Sequence, residues 1–370
     1  MKIGILTLPF HYNYGGILQA YALQKVLEEL GHEVFIINYP FTLREPSRKV
    51  LIKRFLKYIL GKNKGYYINF EKKYNTWLPI MKSKTDLFIR DYLKMSKPLN
   101  SYYEIKELDY DAIVVGSDQI WRPCMFQQDP AIAFLSFTKK WNIKRLSYAA
   151  SFGTDVWEYD DTQTEICRCL AKLFDAISVR ETSGIQLCTD KLKIKAVQVC
   201  DPTLLINAET YIKLFETKNI PKSKGSLFDY TLDDSDNIKT LINYVVLKKK
   251  LIPFKVNAND MNVKCPIEDR IAQPVEVWLR AFYDAEFIVT DSFHACVFSI
   301  LFRKQFVVVA NKRRGLSRFE TLLGSFGLLD RMIETPDDYE KMSKTIDYGF
   351  VYDKLNTERE KSICFLKRYL

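Results

Sequence analysis

The sequence predicts an α/β protein built from two Rossmann-like domains that face one another across a cleft. Three observations lead there. Short apolar runs of strand length alternate with helix-length segments along most of the chain, the pattern of mostly parallel sheets. At 370 residues the chain exceeds what one hydrophobic core ordinarily serves. A polar, breaker-rich segment, Ile220-Pro-Lys-Ser-Lys-Gly225, separates two such alternating series, so the boundary is expected between Asp201 and Gly225.

The first series opens with a strand over 2–7, a helix over 17–30 stopped by Gly31, and a strand over 34–38, which together make a βαβ unit. Further strands are expected at 111–115, 146–150, 176–179 and 196–199, each running into a polar or glycine-containing turn. The second series places strands at 226–230, 252–256, 287–290 and 306–309, with helices over 236–249, 274–285 and 295–301 between them. Helices over 317–326, 337–345 and 357–370 close the chain. The expected organisation is an N-terminal domain over 1–205 with a basic helical insert at about 41–105, a C-terminal domain over 206–350, and a C-terminal helix over 351–370.

Composition narrows the function. The chain enters a strand at residue 2, without the charged lead, apolar run and small-residue cleavage site of a secretion signal. No window reaches the roughly 18 uninterrupted apolar residues of a membrane span, so a cytoplasmic protein is expected. Eight cysteines without a CxxC pair, and only three histidines, predict reduced thiols and neither a metal site nor a bound cofactor. The net charge of +10 is concentrated in 44–73, where ten Lys/Arg face Glu45 and Glu71. Within it, 50–60 carries apolar residues on one side of a helical wheel and cations on the other, with Tyr66, Tyr67 and Phe70 close by. Two readings fit: a solvated helix in an insert, or peripheral attraction to anionic lipid at the inner face of the membrane or to a diphosphate-linked substrate. Nucleic acid is not an expected partner, because no reading motif accompanies the charge.

The candidate site residues sit at strand ends. Asp291, Ser292 and His294 fall in a turn between an apolar strand and an apolar helix, where open α/β sheets place their chemistry; the alternative is that Asp291 or Ser292 caps the helix. Asn13-Tyr-Gly15-Gly16 precedes a helix and offers either backbone N–H groups to an anion or plain turn geometry. Gly116-Ser-Asp118-Gln119-Ile-Trp presents a carboxylate, an amide and an indole together, a set suited to a polyhydroxylated ligand, unless Asp118 caps a helix. Arg180 could grip phosphate or carboxylate in two-pronged fashion, or pair with Glu181 or Asp201. The run Asn311-Lys312-Arg313-Arg314-Gly-Leu-Ser-Arg318 sets four cations beside the His294 turn, a cradle for an anionic small substrate.

Taken in order, Asn13-Tyr-Gly-Gly-Ile-Leu-Gln-Ala-Tyr, Gly116-Ser-Asp-Gln-Ile-Trp, Ser147-Tyr-Ala-Ala-Ser-Phe-Gly, Ser178-Val-Arg-Glu, Asp201-Pro-Thr-Leu-Leu and Thr290-Asp-Ser-Phe-His-Ala resemble the polysaccharide pyruvyl transferase family over nearly the whole chain. The resemblance implies a GT-B-like fold, phosphoenolpyruvate as donor co-substrate, and a sugar as acceptor, in a surface polysaccharide or as a lipid-diphosphate-linked oligosaccharide. The product is then a pyruvate ketal. On this view His294 exchanges the proton, with Asp291 orienting it or helping to deprotonate a hydroxyl. Arg180, Lys312, Arg318 and Ser292 face the donor; Asn13, Gly15, Gly16, Asp118 and Gln119 face the acceptor. One position departs: the family's better-known members carry an arginine two residues before the histidine, and here it is Ser292. A nucleotide-sugar glycosyltransferase and a non-catalytic glycan-binding protein remain open beside this reading.

Overall fold

The computed structural model describes residues 1–61, 68–258, 265–310, 315–341 and 345–370. Its first sheet holds β1 (Lys2–Leu6), β2 (Glu33–Ile36), β3 (Ala112–Val115), β4 (Lys144–Ala150), β5 (Ala176–Val179) and β6 (Val197–Gln198), in the order β2-β1-β3-β4-β5-β6. The second holds β7 (Leu227–Tyr230), β8 (Pro253–Phe254), β9 (Phe287–Thr290), β10 (Gln305–Val309) and β11 (Met332–Ile333), in the order β11-β10-β9-β7-β8. Every pairing is parallel. The reason is legible in β3 and β9, whose residues are all buried: strands covered on both faces by crossover helices require near-continuous apolar runs, Ala-Ile-Val-Val and Phe-Ile-Val-Thr here. The fold is therefore α/β with two parallel sheets facing a cleft.

Each sheet reverses its strand order once. In the first, β2 lies on one side of β1 and β3 on the other; in the second, β8 and β9 flank β7 in the same way. The chain diverges at these points, which opens a crevice beyond the strand ends. The segments leaving β1, β3, β7 and β9 carry Asn13, Asp118, Thr231 and His294, and all four residues line the cleft.

Helix α1 (Tyr14–Glu29) joins the halves. It starts earlier than the apolar periodicity alone suggests, because Asn13 caps it and draws both glycines into the first turn. The Tyr14 hydroxyl donates to the Gln273 carbonyl at 3.0 Å, and its ring stacks on Trp278 with centroids 5.3 Å apart. Farther along the boundary, a Cβ added to Gly315 would lie 2.1 Å from the Gly153 carbonyl oxygen, so the two backbones touch. One hydrophobic cluster runs through both halves, from Ile3 and Leu23 to Trp278 and Phe298. The closing helix, Tyr348–Tyr369, starts on the second half, where the Tyr348 hydroxyl meets the Ser299 carbonyl at 3.2 Å. It ends on the first, where Lys144 Nζ donates to the Tyr369 carbonyl at 2.9 Å.

Some elements differ from expectation. The helix expected over 337–345 is a short 3-10 segment, Pro336–Lys341, and residues 342–344 lie outside the described ones. The last helix begins at Tyr348, capped by Asp347, well before 357. The basic segment forms α2 (Arg48–Ile59), followed by α3 (Phe70–Met81) and a helix over Ser83–Tyr92. Tyr66 and Tyr67 are outside the described residues. Among the described residues no helix is long and apolar enough to cross a membrane, and no group of three His/Cys/Asp/Glu is placed to hold a metal ion.

Candidate active site

The cleft encloses about 880 Å³ and takes its walls from both halves. That volume is within the range of small-molecule sites. At its floor stand His294 and Arg318 from the second half and Asp118 from the first. Behind them lie Arg180, Glu181 and Asp201, also from the first half and each buried.

Arg180 leaves the end of β5 with only 2% of its side chain exposed, and stacks on the Phe293 ring with its guanidinium carbon 4.2 Å from the centroid. Its Nη1 donates to Asp201 Oδ2 at 2.8 Å; Nη2 is 3.6 Å from Asp118 Oδ1 and Nε is 3.8 Å from Glu181 Oε2. Burial works against the guanidinium's charge, but Asp201, Asp118 and Glu181 more than offset it and raise its pKa. Both ion pairs anticipated as the alternative to a ligand-gripping arginine are therefore present. They leave Nε and Nη2 buried without a hydrogen-bond acceptor among the described residues.

Asp201 follows β6 and caps the short helix Pro202–Leu205. Its Oδ1 accepts from the Thr203 N–H at 3.0 Å and from Thr203 Oγ1 at 2.6 Å. Its Oδ2 accepts from Arg180 and, at 3.3 Å, from Ser117 Oγ, and lies 3.6 Å from His294 Nε2. Burial opposes its charge; the neighbouring imidazole and guanidinium outweigh that and hold the carboxyl well below the usual carboxylate range. Arg318 is buried beside this group, and burial together with the like charge of Arg180 pushes its pKa down to about 10, so it remains a cation at neutral pH.

His294 lies in the first turn of the helix Phe293–Leu301 and is buried, with no hydrogen-bond partner on Nε2 among the described residues. Its ring packs against Gly15 so closely that an added Cβ there would come within 2.1 Å of Nδ1 and 2.3 Å of Cγ. Three carboxylates, Asp118, Glu181 and Asp201, face the two guanidiniums of Arg180 and Arg318.

Several expected roles change. Asn13 Oδ1 accepts from the N–H groups of Gly15 and Gly16 at 3.1 and 3.3 Å, so those donors serve the helix cap and are not free to meet an anion. Gly15 matters instead as the seat of His294. Asp291 neither pairs with the imidazole nor stands free as a base: its two oxygens accept from the Leu232 and Asp233 N–H groups at 2.7 and 2.9 Å, holding the turn after β7. The carboxylate beside His294 is Asp201, which the sequence offers as a possible partner of Arg180 and as the start of the Asp201-Pro-Thr-Leu-Leu motif.

Ser292 stands at the N-cap position and lines the cleft without a side-chain capping bond, while its N–H donates to Thr290 Oγ1 at 3.0 Å. Asp118 caps no helix; it adopts a left-handed backbone with φ of 66° at the cleft floor. Gln119 lines the cleft, its carbonyl oxygen accepting from Arg122 Nη1 at 3.1 Å. Lys312, with Asn311, Arg313 and Arg314, lies outside the described residues.

Two parallel sheets facing a cleft, with a histidine–arginine–carboxylate cluster beside it, define an α/β protein of the two-sheet class. A family model described as polysaccharide pyruvyl transferase matches residues 13–313, and the chain belongs to that family. No curated protein sequence matches the chain. Among solved structures it is similar to UDP-GlcNAc 2-epimerase from Methanocaldococcus jannaschii, at 14% identity over 100% of both chains with a TM-score of 0.48. Sucrose-phosphate synthase from Thermosynechococcus elongatus is similar at 12% identity, over 98% of this chain and 94% of that one, with a TM-score of 0.46. UDP-N-acetylglucosamine 2-epimerase from Rickettsia bellii is similar at 10% identity, over 100% and 96%, with a TM-score of 0.48.

Proposed function

We propose that the protein transfers the pyruvyl group of phosphoenolpyruvate to two hydroxyls of one sugar, in a surface polysaccharide or its lipid-linked precursor, on the cytoplasmic side of the membrane. Family membership supports the reaction class. The observation that carries the site assignment is a set of buried donors at and behind the cleft floor: His294 Nε2 at the floor, and Arg180 Nε and Nη2 behind it, lack acceptors among the described residues. Such groups are costly to leave unmatched. The phosphate and carboxylate oxygens of the donor would match them.

The chemistry assigns each group a step. Protonation of the enol carbon C3 by His294 leaves positive character at C2, and a sugar hydroxyl adds there as it loses its proton. Asp201, beside the ring, stabilises the imidazolium that delivers the proton. The C2–O bond to phosphate then breaks, and the second hydroxyl closes the ketal. One hydroxyl proton replaces the one His294 gave up, and the other leaves with inorganic phosphate. Arg180 and Arg318 hold the donor's charge, a duty that falls more heavily on them because Ser292 replaces the family arginine; Lys312 is a further candidate. Asp118 and Gln119, which also line the cleft, contact acceptor hydroxyls.

The test is incubation with phosphoenolpyruvate and a panel of sugar acceptors, free and lipid-diphosphate-linked, following phosphate release and glycan mass. Release matched by the mass of one pyruvyl ketal, and absent in a folded His294→Ala variant, supports the reading. Failure to release phosphate, with thermal protection by UDP and none by phosphoenolpyruvate, moves the protein to nucleotide-sugar chemistry. Protection by a glycan alone moves it to a binding role.

A further inference from the structure

We propose that α2 is an interfacial helix that lays its apolar face into an anionic lipid surface. None of its residues is buried, and no side chain of α2 belongs to any of the hydrophobic clusters among the described residues. Ile52, Phe55, Leu56 and Ile59 follow one another at helical spacing and are 59%, 51%, 52% and 63% exposed; Tyr58 adjoins them at 57%. A surface helix of a globular protein ordinarily turns such a stripe inward. Here the stripe faces solvent.

Charge identifies the occupant. Lys49, Lys53 and Lys57 recur every fourth residue along the flank of the stripe, and between Glu45 and Glu71 the chain has seven Lys/Arg and no Asp or Glu. An exposed apolar stripe bordered by cations, with aromatic Phe55 and Tyr58 at its edge, suits the boundary between acyl chains and anionic headgroups. A neutral protein partner would leave those lysines unmatched. The mounting is also defined: Arg54 Nη1 and Nη2 meet the Glu71 carboxylate at 2.8 Å each, clamping the charged back of α2 to α3. From α3, the Tyr74 hydroxyl lies 3.0 Å from that of Tyr12, which lines the cleft. A membrane docked on α2 therefore lies beside the cleft. The benefit of that placement for a lipid-linked acceptor rests on the function proposed above; the lipid contact itself does not.

The test uses the full chain with phosphatidylcholine vesicles, with and without phosphatidylglycerol, in cosedimentation at low and high salt. The expected result is binding to the anionic vesicles that weakens with salt and is lost in Phe55→Glu/Ile59→Glu. Each Lys→Gln change at 49, 53 and 57 should weaken it roughly fivefold. The lysine variants keep the apolar stripe, so they remain informative should the glutamate variant misfold. Absence of binding at low salt, equal binding to phosphatidylcholine alone, or binding indifferent to Phe55→Glu/Ile59→Glu in folded protein overturns the proposal. So does light scattering that shows a dimer which this variant dissociates without any vesicle binding, since a second copy then covers the stripe.

Discussion

Replacing Gly15 by alanine isolates the seat of His294 from the rest of the fold. In an ordinary helix interior this change gains about 1 kcal/mol, because alanine loses less backbone freedom than glycine. Here the new Cβ would come within 2.1 Å of His294 Nδ1, 2.3 Å of Cγ and 2.8 Å of Cβ. No tilt of the ring relieves a contact that includes the root of the side chain, so either the imidazole leaves its rotamer or α1 backs away. Overpacking of this kind costs about 1–3 kcal/mol, which leaves a net stability change between neutral and about 2 kcal/mol destabilising. Catalysis is far more exposed, since a displaced proton donor forfeits about 10²–10⁴ in rate. Gly16→Ala is the matched control: its Cβ would meet nothing closer than 3.6 Å, so it should stabilise α1 slightly and leave turnover unchanged. Urea denaturation and phosphate release on both variants give the two readouts. Turnover of Gly15→Ala within twofold of Gly16→Ala would refute the placement of His294 against this helix.

Three further outcomes are expected. Asp201→Asn removes a carboxylate from a buried ion cluster and should cost about 3–5 kcal/mol in denaturant unfolding; in the parent protein its contribution is complete above the unfolded carboxylate's value near ~4 and is lost as pH falls from there toward the depressed folded value. Arg180→Ala should weaken phosphoenolpyruvate binding, measured by calorimetry, more than acceptor binding, and the opposite order would reassign that arginine. His11 is held neutral by burial, aided by the nearby Lys82 charge, and its pKa falls to about 4. The unfolded chain thus binds the extra proton first, and stability should drop as pH falls from about 6.5 toward 4, by up to about 3 kcal/mol. His11→Gln should flatten that slope in melting temperature against pH; an unchanged slope would assign the acid sensitivity elsewhere.

The strands were legible because parallel strands are buried on both faces, so β3 reads as Ala-Ile-Val-Val without alternation. Helix starts were less so. The Gly15-Gly16 pair looks like a turn on propensity, and only the Asn13 side chain, which satisfies both N–H groups, makes it helix. α3 was hidden by Pro79 inside it and by burial of only Tyr74, Leu78 and Met81. At the site, His294 was found from its position between an apolar strand and an apolar helix. For the carboxylate beside it the sequence offers Asp291, whose oxygens serve the Leu232 and Asp233 N–H groups, while Asp201 arrives from the other sheet. Local pattern announces Asp201 as a cap, and it is one; what no local pattern contains is that its second oxygen serves Arg180 and His294.

That division of labour has a consequence for how the site works. His294 and Arg318 belong to the second sheet, while Asp201, Arg180, Glu181 and Gly15 belong to the first. Neither half alone offers both His294 and the carboxylate beside it. Tyr14 on Trp278 and the backbone contact of Gly153 with Gly315 are uncharged contacts between the halves, beside the ion pair of Lys218 with Asp91 at 2.8 Å. Contacts outside the charged cluster therefore help to hold its geometry against its own attractions, which in a group of three carboxylates and two guanidiniums would favour collapse into mutual pairing. Arg180 is the residue where this is visible: it has three carboxylates within 4 Å yet makes a hydrogen bond to only one of them. Its other two nitrogens stay buried without an acceptor among the described residues; under the proposed function an anion would meet donors whose desolvation cost was already met on folding.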